Sequence, residues 1–124
     1  MKLQPDAHPG LSLVSAYADD YIAINGQRYT RSLVVSAAGA VQAWGAARFD
    51  DLQAADLAQL AQLDVELVIL GTGARHRFVQ PPWLQPFAAR RVGLETMTSA
   101  AACRTYNILA AEGRKVAGAF VIEA

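Results

Sequence analysis

The sequence is poor in the residue types that build reactive sites. It has one cysteine, Cys103, and two histidines in 124 residues. A single cysteine excludes an internal disulfide, and a zinc site needs several cysteine or histidine ligands. No neighbouring base is identifiable that would lower the pKa of Cys103. We therefore predict no metal site, no other cofactor and no catalytic residue, and we expect Cys103 to be a buried core residue.

Excess charge and long apolar runs are also absent. Eleven basic residues balance eleven acidic ones, so no global field favours nucleic acid or an anionic membrane. Apolar runs such as LVIL and VAGAFVI are far shorter than the roughly 20 residues that span a bilayer. The first ten residues lack the apolar core of a signal peptide. We expect a cytoplasmic protein without nucleic-acid binding or membrane insertion; its oligomeric state is left open.

What the sequence does contain is the apolar content of a globular protein, at 53% of its residues. Its length suits a single domain with a core of ordinary size. Two prolines and a glycine interrupt the first ten residues. We predict a loosely ordered lead over 1–10 and one domain over 11–124.

The first half has the pattern of antiparallel strands. In YIAINGQRYTR, Asn25 and Gly26 lie between two β-prone segments and accept the positive φ angles of a type I′ turn. SLVVS and AVQAW follow as short strands separated by a turn. This half is therefore predicted to be an antiparallel meander.

The second half alternates helices with strands. We predict a helix from about Asp51 to Leu63, begun by Asp50 and Gln53 as a capping-box variant, and a second from Thr98 to Glu112. The prolines around Trp83 permit only a short helix between them. Three segments read as short buried strands, the last of them internal to its sheet: VELVILG, RRVGLET and KVAGAFVIE. The expected fold class is α/β, with a central mixed sheet, the N-terminal meander and helices packed on the sheet.

The glycine turn after VELVIL does not match the known phosphate-binding loops. The dinucleotide fingerprint requires a third glycine, but that position is His76. A Walker loop requires a following lysine and hydroxyl residue, which are absent. A strand-end turn near the start of the Thr98 helix still provides a candidate crevice for an anion or small ligand. Its predicted lining is Gly71, Thr72, Gly73, Arg75, Glu95 and Thr98. A tight turn and an ordinary helix cap explain the same residues.

The aromatic residues Phe78, Trp83 and Phe87 flank a basic cluster and indicate a different kind of site. Arginines beside exposed aromatics are typical of protein interfaces. The candidate partner surface comprises Arg75, His76, Arg77, Trp83 and Phe87. Packing of the short helix onto the sheet would explain the aromatics as well.

Several segments together resemble the Mth-type domain family of small proteins, in particular its proteobacterial branch. They are INGQRY, SLVVS, AVQAW, ELVILGTG and ETMTSAAACRTYNILAAEGRKVAGAFV. The resemblance implies an α/β fold with a central mixed sheet, and it supplies no catalytic residues. The family includes an adipogenesis-associated protein and a mitochondrial assembly factor for respiratory complex I, which implies a role in assembly.

Two hypotheses about function follow. The first is a non-enzymatic cytoplasmic protein that binds other proteins, as an assembly factor does. The alternative is a small-molecule or anion-binding protein, or a weak enzyme, that uses the crevice between the Gly71 turn and the Thr98 helix start.

Overall fold

Two sheets and three α-helices make up the described residues, 1–3 and 10–123, of a computed structural model. The strands are β1 (Val14–Ala18), β2 (Tyr21–Ile24), β3 (Gln27–Tyr29), β4 (Leu33–Ser36), β5 (Gln42–Ala43), β6 (Leu67–Gly71), β7 (Gly93–Met97) and β8 (Val116–Phe120). The helices are α1 (Ala54–Ala61), α2 (Gln85–Arg90) and α3 (Ser99–Ala111), and short 3₁₀ helices occupy Phe49–Asp51 and Pro81–Leu84. Within this part of the chain, no helix has the length and apolarity to cross a bilayer.

The first sheet is an antiparallel hairpin series in the order β1-β2-β3. Asn25 and Gly26 have φ angles of 49° and 87°, which confirms the predicted tight turn between β2 and β3. The meander does not continue into β4 and β5, as the sequence had suggested. Both join the second sheet. β4 pairs with β8 there because Leu33, Val34 and Val35 are all buried and need cover on both faces, and the exposed strand β5 pairs with β4.

The second sheet is mixed, as predicted, with the order β5-β4-β8-β6-β7. β8 lies at its centre, antiparallel to β4 and parallel to β6, and all its residues are buried. This confirms the prediction for the C-terminal strand. β7 pairs only with β6 and forms an edge. The prediction that it is a buried strand was wrong, because only one side of its backbone is covered and Gly93 and Glu95 are exposed.

Apolar side chains cover both faces of the second sheet. One core lies between this sheet, the first sheet and α3, and it includes Ile69 and Tyr106. The other core lies on the opposite face with α1 and α2, and it includes Leu57, Leu70 and Phe87. Alternate residues of β6 therefore point into different cores, which explains why the strand is apolar throughout.

Helix α1 begins later than predicted. Residues 49–51 form a 3₁₀ helix, and Leu52 is extended and buried, so the helix starts only at Ala54. The capping box is made by Gln53 and Asp56, whose carboxylate accepts from the Gln53 amide at 2.8 Å. The predicted Asp50 and Gln53 pair is therefore wrong by one turn. The short helix around Trp83 is confirmed.

Helix α3 is confirmed, and it packs unusually close to the end of β6. Thr98 caps it by accepting a hydrogen bond from the Ala101 amide at 3.2 Å, and Gly113 follows its end with a φ of 84°. A Cβ at Gly71 would lie 3.0 Å from the Ser99 Cα. A side chain at residue 71 would therefore require the start of α3 to shift.

Hydrogen bonds hold the start of α3 to the turn after β6. The Ser99 hydroxyl accepts from the Gly73 amide at 2.9 Å, and the Ser99 amide donates to the Gly73 carbonyl at 2.9 Å. The buried Thr72 hydroxyl donates to the Arg75 carbonyl at 2.6 Å and accepts from the Arg77 amide at 3.1 Å. Thr72 thus organises the chain that leaves the sheet.

The other half of α3 holds the first sheet. The Asn107 amide group donates to the Val14 carbonyl at 2.8 Å and accepts from the Val14 amide at 2.9 Å. Tyr106 donates its hydroxyl hydrogen to the Ser12 carbonyl at 2.7 Å. α3 therefore connects the two sheets by polar as well as apolar contacts.

The first three residues also pair with β1. The Leu3 amide donates to the Ser15 carbonyl at 3.0 Å, and the Tyr17 amide donates to the Met1 carbonyl at 2.7 Å. The loosely ordered lead predicted for residues 1–10 stays a prediction. Residues 4–9 lie outside the described part of the chain.

Replacing Asn107 tests how α3 holds the first sheet. Asn107→Ala should lower the free energy of unfolding by about 2–3 kcal/mol, because both backbone groups of buried Val14 lose their partner. The exposed neighbour Ile108 is the control, and Ile108→Ala should change it by about 0.5 kcal/mol or less. Urea denaturation measures both. Equal effects of the two substitutions would contradict this role of Asn107.

Thr72 offers a matched pair of substitutions. Thr72→Val keeps the shape but removes the hydroxyl, so the Arg77 amide loses its acceptor. We expect hydrogen exchange of that amide to become about tenfold faster or more. Thr72→Ser keeps the hydroxyl and should keep the amide protected. If the Arg77 amide exchanges equally fast in both variants, Thr72 does not organise this loop.

Candidate functional site

The six residues of the predicted crevice do not surround one open space. Gly71, Thr72, Gly73 and Thr98 meet where β6 ends and α3 begins, but the Ser99 side chain fills the space between Gly71 and Gly73. Arg75 is exposed beyond this turn, and Glu95 is exposed on β7. Ligand binding at this point therefore stays a prediction, with most of the expected space occupied by the protein itself.

A pocket of about 400 Å³ opens beside this turn, on the side of the first sheet. Gly73 and Thr98 line it, together with residues that the sequence did not connect with a site. Its lining includes the acidic residues Asp19 and Glu123 and the apolar residues Ile22 and Val121. The pocket joins the β1–β2 turn to the C-terminal segment, and no local sequence pattern predicts that proximity.

The structure divides the basic cluster. The Arg77 guanidinium lies 3.2 Å from a Glu123 carboxylate oxygen and 3.7 Å from one of Asp50, and it covers the Phe49 ring. Glu123 also accepts from the Phe49 amide at 2.8 Å. Arg77 is therefore only partly exposed and has its charge balanced within the protein, so it does not belong to a free contact surface. Arg75 remains exposed.

His76 and Phe78 form the outer part of the loop. The His76 Nε2 atom lies 3.0 Å from the Thr96 hydroxyl oxygen, which holds the ring against β7. The Phe78 ring lies 4.5 Å from the His76 ring, centroid to centroid, and Phe78 is 77% exposed. Phe78 is one of the aromatics that flank the basic cluster in the sequence, but it was not included in the candidate partner surface. The sequence signal for it was its position directly after the basic cluster.

The two other aromatics predicted for the surface lie against the second core. Phe87 is 3% exposed, and half-buried Trp83 packs on the same cluster. Phe87 therefore cannot contact a partner in this structure. The physical reason is that α2 and the preceding 3₁₀ helix cover one face of the sheet and need apolar side chains there.

Cys103 lies on the buried face of α3 and is fully inaccessible to solvent. Burial raises the pKa of its thiol to about 12, so the thiol is protonated and unreactive near neutral pH. The prediction that it is a core residue is confirmed.

Solved structures from two Bordetella species are similar to this chain over almost their whole length. A crystal structure from Bordetella parapertussis is 37% identical, with a TM-score of 0.86 over 94% of this chain and all of that one. A solution structure from Bordetella pertussis, a Mth938-like domain, is 34% identical, with a TM-score of 0.80 over 100% of this chain and 94% of that one. The predicted α/β fold class is confirmed.

A curated relative is also similar. NADH dehydrogenase [ubiquinone] 1 alpha subcomplex assembly factor 3 of Homo sapiens is 32% identical over 112 residues, which are 86% of this chain and 60% of that protein. The chain thus spans about three fifths of the length of this relative and of its bovine counterpart.

The match of this chain to a protein-family model covers most of the fold. It extends over residues 14–121, from β1 to the residue after β8. Together with the two Bordetella structures, it confirms the resemblance to the Mth-type family. The chain belongs to the family described as protein of unknown function (DUF498/DUF598).

Proposed function

We propose that this chain is a non-enzymatic protein of the bacterial cytoplasm that binds other proteins during assembly of a larger complex. Its proposed contact surface consists of Arg75, His76 and Phe78 and is called here the Phe78 surface. The observation that carries the proposal is Phe78, a large aromatic side chain that the fold leaves 77% exposed. Of the five residues predicted from the sequence, Arg75 and His76 are retained, whereas Arg77, half-buried Trp83 and Phe87 are not.

The Phe78 surface is suited to binding because the loop beneath it is held in place. The Thr72 hydroxyl, the Arg77 ion pairs and the His76 contact with Thr96 each tie one part of this loop to the fold. Little conformational entropy is then lost when a partner covers the loop. Full burial of a phenylalanine side chain contributes about 1.5–3 kcal/mol, which suits an anchor residue.

The relatives support the assembly part of the proposal. The curated relatives are named as assembly factors, and proteins that assemble complexes have protein partners. The transfer to this chain is itself part of the proposal, since the chain spans about three fifths of those proteins. The ligand-binding alternative has weaker support, because Ser99 fills the turn where the ligand was expected.

A comparison of two exposed apolar residues tests the proposal. Phe78→Ser removes the anchor, and Ile108→Ser is the matched control, because Ile108 is a 60% exposed apolar residue on a different element, α3. In affinity purification with quantitative mass spectrometry, Phe78→Ser should reduce recovery of specific partners by about tenfold, since loss of an anchor costs more than about 1 kcal/mol. Ile108→Ser should leave recovery unchanged.

Thermal denaturation first establishes that both variants are folded. Equal recovery of every partner by the wild type and Phe78→Ser would remove the Phe78 surface from consideration. Equal losses in the two variants would also contradict the proposal, because they would indicate a general effect of exposed apolar residues.

A further inference from the structure

We infer that the outer edge of β7 binds an extended segment of a partner protein that carries a basic residue opposite Glu95. This inference rests on the proposed function and names the form and chemistry of what the partner contributes. The backbone of β7 pairs with the second sheet on one side only.

The hydrogen bonds to β6 show which backbone groups of β7 are free to pair. The Gly93 amide donates to the Glu66 carbonyl at 2.9 Å, and the Met97 carbonyl accepts from the Thr72 amide at 2.9 Å. Alternate residues of a parallel strand bond to the same neighbour, so Glu95 also pairs with β6. The amide and carbonyl groups of Leu94 and Thr96 therefore point outward, away from the sheet.

β7 is the longest open edge in the described part of the protein. β5 is an edge of two residues and β3 one of three. β1 is an edge of its own sheet, but residues 1–3 pair with it. β7 offers five residues in continuous register, without the proline, lysine or bulge that protects many edges.

The charge on β7 argues against a second copy of the chain as the occupant. In the antiparallel self-pairing that engages the whole strand, Glu95 would lie directly opposite Glu95 of the other copy. Like charges in that position are destabilising, whereas opposite charges are favourable. Glu95 is exposed and has no ion-pair partner among residues 1–3 and 10–123. A segment with lysine or arginine at the central position therefore complements this edge.

The edge of β7 is continuous with the Phe78 surface. His76 contacts the Thr96 side chain, so the loop that carries Phe78 lies beside the C-terminal part of β7. An added strand would bond to Leu94 and Thr96 through its main chain and reach the Phe78 ring beyond them. Main-chain bonds would supply affinity, and Glu95 and Phe78 would select side chains.

Two short peptides test this inference without knowledge of the natural partner. The probes are capped pentapeptides, TVKVT and TVEVT, titrated into the ¹⁵N-labelled full chain. TVKVT should shift the amide signals of Leu94 and Thr96 and bind about two- to fivefold more tightly than TVEVT. Glu95→Lys, an exposed substitution, should reverse the preference.

Three results would overturn the inference. One is the absence of shifts at Leu94 and Thr96 with either peptide. Another is equal binding of the two peptides that Glu95→Lys does not alter. The third is a concentration-dependent shift of those amides in the protein alone, which would identify a second copy as the occupant.

The purification experiment separates this inference from the proposed function. Phe78→Ser could lose partners while Glu95→Lys retains them and the peptides do not bind. In that case the edge of β7 does not bind a partner, and the proposed function stands. If Phe78→Ser loses no partner, the proposed function fails even where the peptides bind.

Discussion

The close approach of α3 to the end of β6 is the constraint on which the rest of the structure depends. Residue 71 has no side chain, and the Ser99 backbone and hydroxyl occupy the space where one would lie. This contact fixes the start of a helix whose other half holds the first sheet through Tyr106 and Asn107. A side chain at residue 71 would therefore shift the start of α3, the helix that connects the two sheets.

The same contact determines the course of the chain after β6. Because Ser99 holds Gly73, the chain turns within two residues of the strand end, and the Thr72 hydroxyl bonds the segment that follows. Arg77 then forms an ion pair with Glu123, which follows β8. Of the three adjacent basic residues, Arg77 is held by carboxylates, His76 is exposed and contacts β7, and Arg75 is exposed. The contact surface is thus a product of long-range packing.

Much of the fold was predictable because local chemistry and tertiary packing agree. The Asn25-Gly26 turn, the capped helix α3 and the apolar strand β8 each have a local signal that the fold preserves. The start of α1 was misplaced because Leu52 is used by the second core and interrupts the helix. β7 was predicted to be buried because its apolar residues resemble those of an internal strand, and sequence does not indicate which strand ends a sheet.

The candidate site was less predictable for the same reason. The sequence by itself determined the strand-end turn, the helix cap at Thr98 and the cluster of basic and aromatic residues, since each depends on neighbours along the chain. Only the tertiary structure decided that Phe87 enters the core, that Phe78 is exposed and that Glu123 neutralises Arg77. Those outcomes depend on which face of the sheet α2 covers and on where Glu123, which follows β8, lies in the fold. Both are set by contacts between residues far apart in sequence.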